Sequence, residues 1–395
     1  MTKPLEDIRV LDLSRVYAAP AGAMMLGDLG ADVIRVETPG GSDSMRDWGP
    51  FVNGESAYYF SANRNKRSVT LNLNEAKGKE LFLELLKKAD VVIENFKTGT
   101  MEKWGLSYAE LKKVNPKIIT CSVTGFGHTG PLSKNPGFDP VVQAMSGLMD
   151  VTGASDGEAT KVGIPIADIL TSVYVALSVT AAIRQRDVTG IGQEIDLSLL
   201  DVQVSSMANV ASAYLNAGMV SERLGNRHNN VTPYQVFQCS DDPIMICAGN
   251  DGLFRKLSEL LGHPEWGSDP RYKTNRVRKE HEVELVSQIA AIIVTKSSEE
   301  WLDKLAQAGV PAGRVNNIAQ ALEQEQVQAR ESVETLPHSI AGEVKIMKNP
   351  MRFSQLNIES TLPPPLLGEH TESVYGELLG LDASELEKLK AANVI

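Results

Sequence analysis

Strand-like and helix-like segments alternating from Ile8 to Thr124 predict an α/β protein built on a doubly wound parallel sheet. The strand segments are predominantly apolar, as expected for strands covered by helices on both faces. From about Asp168 the texture changes to long helices and then to a compact mixed region. That change predicts a second, smaller domain of α+β character.

The elements follow in order. Ile8–Leu13 reads as a buried strand, and a helix follows from about Pro20 to Leu29, with Pro20 suited to its first turn and Gly30 to its end. Asp32–Glu37 is a second strand, followed by a loop rich in Gly, Ser and Asp. Ser68–Leu73 alternates as a strand, 75–88 is a periodic helix, and Val91–Glu94 is a further strand. A helix over 106–114 and a strand over 118–124 complete the alternation. A helix from about Asp168 to Arg186 and a helical run over 196–217 come next. Paired strands are expected over 235–238 and 244–248, with helices over 253–261, 283–294 and 299–308. Beyond Asn349 the pattern reads as short strands, a Pro363–Pro365 spacer and a final helix.

At 395 residues the chain exceeds the size at which one core keeps growing, so two domains are expected. Its net charge of -11 argues against a general nucleic-acid binder, which needs clustered Lys and Arg. Cys121, Cys239 and Cys247 show no paired spacing and read as buried reduced thiols. The first ten residues lack the apolar core of a signal peptide, and Glu6 and Asp7 argue against a transit peptide. The most apolar stretch, 164–183, is interrupted by Asp168, Thr171 and Ser172 and reads as a buried helix rather than a membrane span. A cytoplasmic protein with no membrane contact is the expectation.

Three common chemistries find no motif. The first strand-to-helix turn, Leu13–Gly22, lacks GxGxxG, so Glu37 alone is a weak sign of a dinucleotide site. No GxSxG or HExxH is present. His128, His228, His263, His281, His338 and His370 are scattered without metal-ligand spacing, so no metal site is expected.

Four ordered segments stand out. They are Leu29–Gly41 with Asp43 and Arg46; Asn65–Leu73; Ala89–Phe96, extended by Lys103, Gly105 and Leu106; and Thr124–Gly127, Gly130-Pro131, Gly137-Phe138-Asp139 and Pro165–Asp168. Together with Pro365–Thr371 they resemble the class III CoA-transferases, the formyl-CoA and carnitine CoA-transferase (CaiB/BaiF) family. The resemblance spans nearly the whole chain.

The resemblance implies a coenzyme A site with contacts at Val16, Ala18, Lys66, Leu71, Asn95, Phe96 and Lys103. Asn63–Arg67 reads as a small cationic loop near the phosphates, or plainly as a solvated charged loop. Phe96 is equally readable as core filler. Lys103 stands where some members have arginine, which keeps the charge and loses the bidentate geometry. On the residues alone Asp168 reads as the N-cap of its helix; the resemblance makes it the nucleophile, with Asp139 as a supporting acid or a loop-capping residue. An ordinary aspartate (pKa ~3.9) displacing a thiolate (~8.5) works uphill by about 4.6 pK units, on the order of 6 kcal/mol. Binding of the remote nucleotide is the expected compensation. Acyl-CoA and a free acid are the implied substrates, with no prosthetic group.

The resemblance also implies a large domain over 1–217 and 330–395, a small domain over 226–316, linkers near 218–225 and 317–329, and an interlocked homodimer. Two other readings stay open. One is an α-methylacyl-CoA racemase, whose second base, a histidine, falls where this chain has Phe138; the other is a silent CoA-binding protein. For the acceptor, Arg227 or His228 is a candidate for meeting the far carboxylate of a short dicarboxylic acid, or belongs to a surface loop.

Overall fold

The computed structural model describes residues 3–395 and divides into two compact units, 1–149 with 161–220 and 330–395, and 150–160 with 221–329. In the first unit six strands form one parallel sheet: β1 (Arg9–Asp12), β2 (Asp32–Glu37), β3 (Lys66–Thr70), β4 (Val91–Glu94), β5 (Ile119–Thr124) and β6 (Glu194–Ser198). Their order is β3-β2-β1-β4-β5-β6, every pairing parallel. The order reverses between β1 and β4, the switch point at which open sheets of this kind form a ligand crevice beyond the carboxyl ends of the strands.

Alternate strand residues face opposite layers. Val10, Val33, Val91 and Ile119 join α1 (Ala18–Asp28) and the long helix Ile166–Thr189 in one core. Leu11, Ile34, Val69 and Val92 join α2 (Ala76–Leu86), α3 (Tyr108–Val114) and the C-terminal helices Thr371–Leu379 and Ala383–Ala391 in another.

Two sets of glycines fix the layer that bears Asp168. A Cβ on Gly22 of α1 would fall 2.6 Å from Val175 Cβ and 2.9 Å from the Ser172 carbonyl, so only glycine lets these helices lie this close. Both helices run back from the carboxyl edge of the sheet, and therefore both begin there. Gly125, just after β5, and Gly137 meet backbone to backbone: a Cβ on either would lie 2.4 Å from the other's Cα. This contact delivers Asp139 into α4 (Asp139–Met145), and the Ile166–Thr189 helix is α5.

Several sequence expectations need correction. The run from Asp196 begins as a strand: Ile195 and Leu197 alternate inward on the sheet edge, and only then do α6 (Leu199–Ser205) and α7 (Ala208–Ala217) follow. The strands of the tail lie before Asn349, as the hairpin Val333–His338 with Gly342–Met347, and two helices follow them rather than one. Helix α5 is long and apolar enough to cross a membrane by length and composition, but it is buried along one face only, through Ala167, Thr171, Ser172, Val175, Val179, Ala182 and Ile183.

The second unit has a three-stranded antiparallel sheet, Tyr234–Gln238, Pro243–Cys247 and Ala312–Arg314, packed on helices Asp251–Leu260, Glu282–Ile293 and Ser298–Ala308. The stretch 317–329, expected as a linker, carries two short helices of this unit, and 150–160, expected in the large domain, belongs to it as well.

Gly137→Ala should lower the melting temperature by an amount worth about 1–3 kcal/mol, because the Gly125 backbone has no side chain to swing away. A melting curve matching the wild type would show that the loop absorbs the methyl group.

Candidate active site

Asp168 is the third residue of α5. The residue that closes the amides of this helix end is not Asp168 but Asp139, whose Oδ1 accepts from Ala167 N at 2.7 Å and from Asp168 N at 3.4 Å. Asp139 is buried and is gripped in turn by Gln143, one turn along α4, whose Nε2 donates to Asp139 Oδ2 at 2.6 Å. The other end of the fully buried Gln143 amide accepts from Val162 N at 2.8 Å, tying down the segment that leads into α5. The expectation of Asp168 as an N-cap is therefore corrected, and the capping role falls to Asp139.

Electrostatically the arrangement sets two carboxyls against each other. Burial, and secondarily the charge of Asp139, push the Asp168 carboxyl up to about 7. The expectation of an ordinary, fully ionised aspartate is corrected as well. Tyr17 and Tyr58 both feel the Asp168 charge, and Tyr58 is edge-on to Tyr17 at 6.3 Å and to Trp48 at 5.6 Å between ring centres. Burial first, then the Asp168 charge, raise the pKa of the Tyr58 phenol, and burial, Tyr58 and Asp168 raise that of Tyr17. Both stay protonated donors. A pocket of about 430 Å³ lined by Tyr17, Ala57, Phe60, Ser61 and Arg64 opens beside Tyr17.

The switch-point crevice is walled by the turn after β1 and the residues after β4. Val16 is held at φ 63, an uncommon conformation for a β-branched residue and one that concentrates at functional sites. Three side chains impose it. Asp43 Oδ1 accepts from Val16 N at 3.0 Å, while Asn95 accepts from Arg15 N at 2.8 Å and donates to Arg15 O at 2.7 Å. Asp12 accepts from Ser14. Beneath them Arg35 pairs with Asp12, Glu37 and Asp43 in full burial. Breaking such a pair on one side costs roughly 3–5 kcal/mol.

Lys66 belongs to that buried network. It is the first residue of β3, fully buried, and its Nζ donates to Asp12 at 2.9 Å, to Pro20 O at 2.8 Å and to Asn63 at 2.9 Å. Desolvation brings its pKa down to about 8. The reading of 63–67 as a solvated cationic loop is corrected, since Lys66 braces the crevice from below and presents no charge to solvent. Leu71 and Ala18 are likewise buried, whereas Phe96 is half-buried with the Arg15 guanidinium over its ring at 5.2 Å and Trp104 edge-on at 5.1 Å. Lys103 is exposed on the short helix Thr100–Trp104. Among the described residues no group of three or more His, Cys, Asp or Glu side chains is placed to hold a metal ion.

A family model described as CoA-transferase family III matches residues 5–371. The chain belongs to this family. It is 39% identical over 394 residues to the succinyl-CoA:glutarate CoA-transferase of Mus musculus, covering 100% of this chain and 90% of that one. It is 42% identical over 382 residues to the succinate–glutarate CoA-transferase of Agrobacterium fabrum, covering 95% and 96%. Among solved structures, a CaiB/BaiF family protein from Brucella suis superposes with a TM-score of 0.86 at 40% identity, covering 96% of this chain and all of that one.

Of the residues expected in this CoA-transferase's site, the first unit brings together Val16, Ala18, Asn95 and Phe96 at the crevice and Asp139 and Asp168 at the α5 terminus. Arg227 and His228 lie in the second unit, where Arg227 faces Glu282 at 3.9 Å and His228 packs edge-on to Tyr234 while its Nδ1 accepts from Asn230 N. Sequence reasoning missed Gln143, Tyr17, Tyr58 and Arg15. The i, i+4 spacing of Asp139 and Gln143 was the available signal for the first; Arg15 follows β1 directly, where crevice residues are expected.

The raised Asp168 pKa makes a stability prediction. A carboxyl whose folded pKa lies above its unfolded value costs stability on ionising, so the cost opens as pH rises from about 4 and is complete above about 7. Asp168→Asn should therefore stabilise the protein at pH 8 by roughly 1–3 kcal/mol, after allowance for the water that reaches a half-buried group, and leave it unchanged near pH 3. Thermal melts across pH check this; an equal effect at both pH values contradicts it.

Proposed function

We propose that this CoA-transferase moves coenzyme A from an acyl-CoA to a free carboxylic acid through covalent intermediates on Asp168. The observation that carries the reading is the half-buried Asp168 carboxyl, raised to about 7, at a helix N-terminus capped by another residue. An Asp168 oxygen attacks the thioester carbonyl, the C–S bond breaks, and a mixed anhydride and CoA thiolate result. The thiolate then attacks the aspartyl carbonyl, releasing the donor acid and leaving an aspartyl-CoA thioester. The acceptor carboxylate attacks that carbonyl, expelling thiolate and forming a second anhydride. The thiolate takes the acceptor's acyl group and Asp168 returns as a carboxylate.

The electrostatics support this sequence. With Asp168 at about 7 and a thiol at ~8.5, the first displacement is uphill by about 1.5 pK units, near 2 kcal/mol, instead of the roughly 6 kcal/mol facing an ordinary aspartate. Burial that destabilises the free carboxylate thus makes it a stronger nucleophile. The peptide dipoles at the start of α5 and the tyrosine donors offer stabilisation to charge developing on the reacting carbonyl. The racemase alternative loses ground, since Phe138, 64% exposed at the start of α4, moves no proton.

A short dicarboxylate is the proposed acceptor, supported by the succinate- and glutarate-directed names of the relatives. Arg227 or His228 remains the candidate for its far carboxylate. A homodimer is proposed from the exposed apolar residues Val173, Tyr174 and Leu177 on α5 with Val204, Tyr214 and Leu215 on α6 and α7, apolar surface that a second copy of the chain would bury. Light scattering that finds a monomer contradicts it. The cytosol is its proposed compartment, and cell fractionation is the check.

The test is mass spectrometry of the protein under turnover with succinyl-CoA and a panel of free acids. An acyl or CoA adduct on the peptide bearing Asp168, with dicarboxylates the best acceptors and no adduct in Asp168→Asn, is expected. An adduct elsewhere, or full exchange by the variant, overturns the assignment.

A further inference from the structure

Coenzyme A carries several negative charges, and most cations at the crevice are already committed. Arg35 and Lys66 are held by Asp12, Arg46 by Glu37 and Arg64 by Asp28. Arg15 differs. It is half-buried, its guanidinium has no hydrogen-bond or ion-pair partner among the described residues, and its Nε is buried and unpaired. Asp43 and Glu37 are near enough to favour its charge, but they are engaged by Arg35 and by Arg46. A half-buried cation left unmatched costs free energy, unless a ligand completes it.

Arg15 is also held in place. Asn95 clamps its peptide N–H and C=O from across the switch point, Val16 beside it is locked at φ 63, and its guanidinium lies over the Phe96 ring at 5.2 Å. A guanidinium in this position offers a planar set of donors at the carboxyl edge of the sheet. We infer that Arg15 is an anion-binding residue that takes a phosphate of the coenzyme A nucleotide. This rests on the proposed transfer reaction, and it supplies in the crevice the charge that buried Lys66 does not present. Burial already draws the pKa of free Arg15 below the usual guanidinium range, and a bound phosphate would reverse that.

The experiment compares Arg15→Met and Arg15→Lys with the wild type, using a full acyl-CoA and the matching acyl-pantetheine, which lacks the nucleotide. Arg15→Met keeps a stem against Phe96 and removes the charge. Loss of a charge-assisted phosphate contact should raise KM for the acyl-CoA by about 10- to 100-fold with kcat within about threefold, and Arg15→Lys should fall between. With acyl-pantetheine all three proteins should show the same kcat/KM. The inference is overturned if KM for acyl-CoA is unchanged in both variants. It is equally overturned if the loss persists with acyl-pantetheine or falls on the acceptor's KM, which would make Arg15 a carboxylate-recognition residue. Should Arg15→Met fail to fold, the Arg15→Lys shift decides alone. Failure of the nucleophile assignment shows separately, as absence of an Asp168 adduct in the wild type.

Discussion

The carboxylate of Asp139 has two effects on the start of α5, and they pull in opposite directions. By accepting from the Ala167 and Asp168 amides it closes a helix end whose donors would otherwise be unmatched. By the same placement it sets a negative charge beside Asp168, whose own ionisation burial already opposes. Gln143 keeps this geometry from relaxing, since both ends of its amide are engaged, by Asp139 and by Val162. The outcome is a stable helix end carrying an unstable charge. In the proposed mechanism, such a carboxylate lies energetically closer to the sulfur it is to displace.

The remaining architecture brings that carboxyl to the same edge of the sheet as the switch-point crevice. Gly22 lets α1 lie against α5, so the turn after β1 and the Asp168 terminus open from the same edge of the sheet. Gly125 and Gly137 cross closely enough to carry Asp139 under α5. The buried set of Asp12, Arg35, Asp43 and Lys66 holds the 14–16 turn in a conformation that local preference disfavours. Rigid support for the 14–16 turn, and a separate half-buried carboxyl, together suit the proposed transfer.

What was legible in the sequence were features with local causes. Apolar runs marked five of the six parallel strands, and the ordered motifs marked Asp168 and the family. What failed had non-local causes. Asp168 looked like a cap because an aspartate at a helix start usually is one, yet the capping carboxylate comes from 29 residues upstream of it. Lys66 sits in an Asn-Lys-Arg run that reads as solvated, and its partner Asp12 is 54 residues away, two strands across the sheet. Strand β6 was absorbed into a helix because an edge strand of five residues alternates too briefly to outweigh the helical run behind it. Arg15 carried no pattern of its own; only the turn around it reveals that its charge is unmatched.

Burial first, and the charge of Asp139 second, hold the Asp168 carboxyl at about 7. The most direct measurement is a pH titration of the Asp168 carboxyl by carbon-13 NMR in the free enzyme, repeated in Asp139→Asn. A midpoint near 7 that falls when the neighbouring charge is removed is the expected result. A midpoint near 4 in the wild type, unmoved by the substitution, would contradict the account.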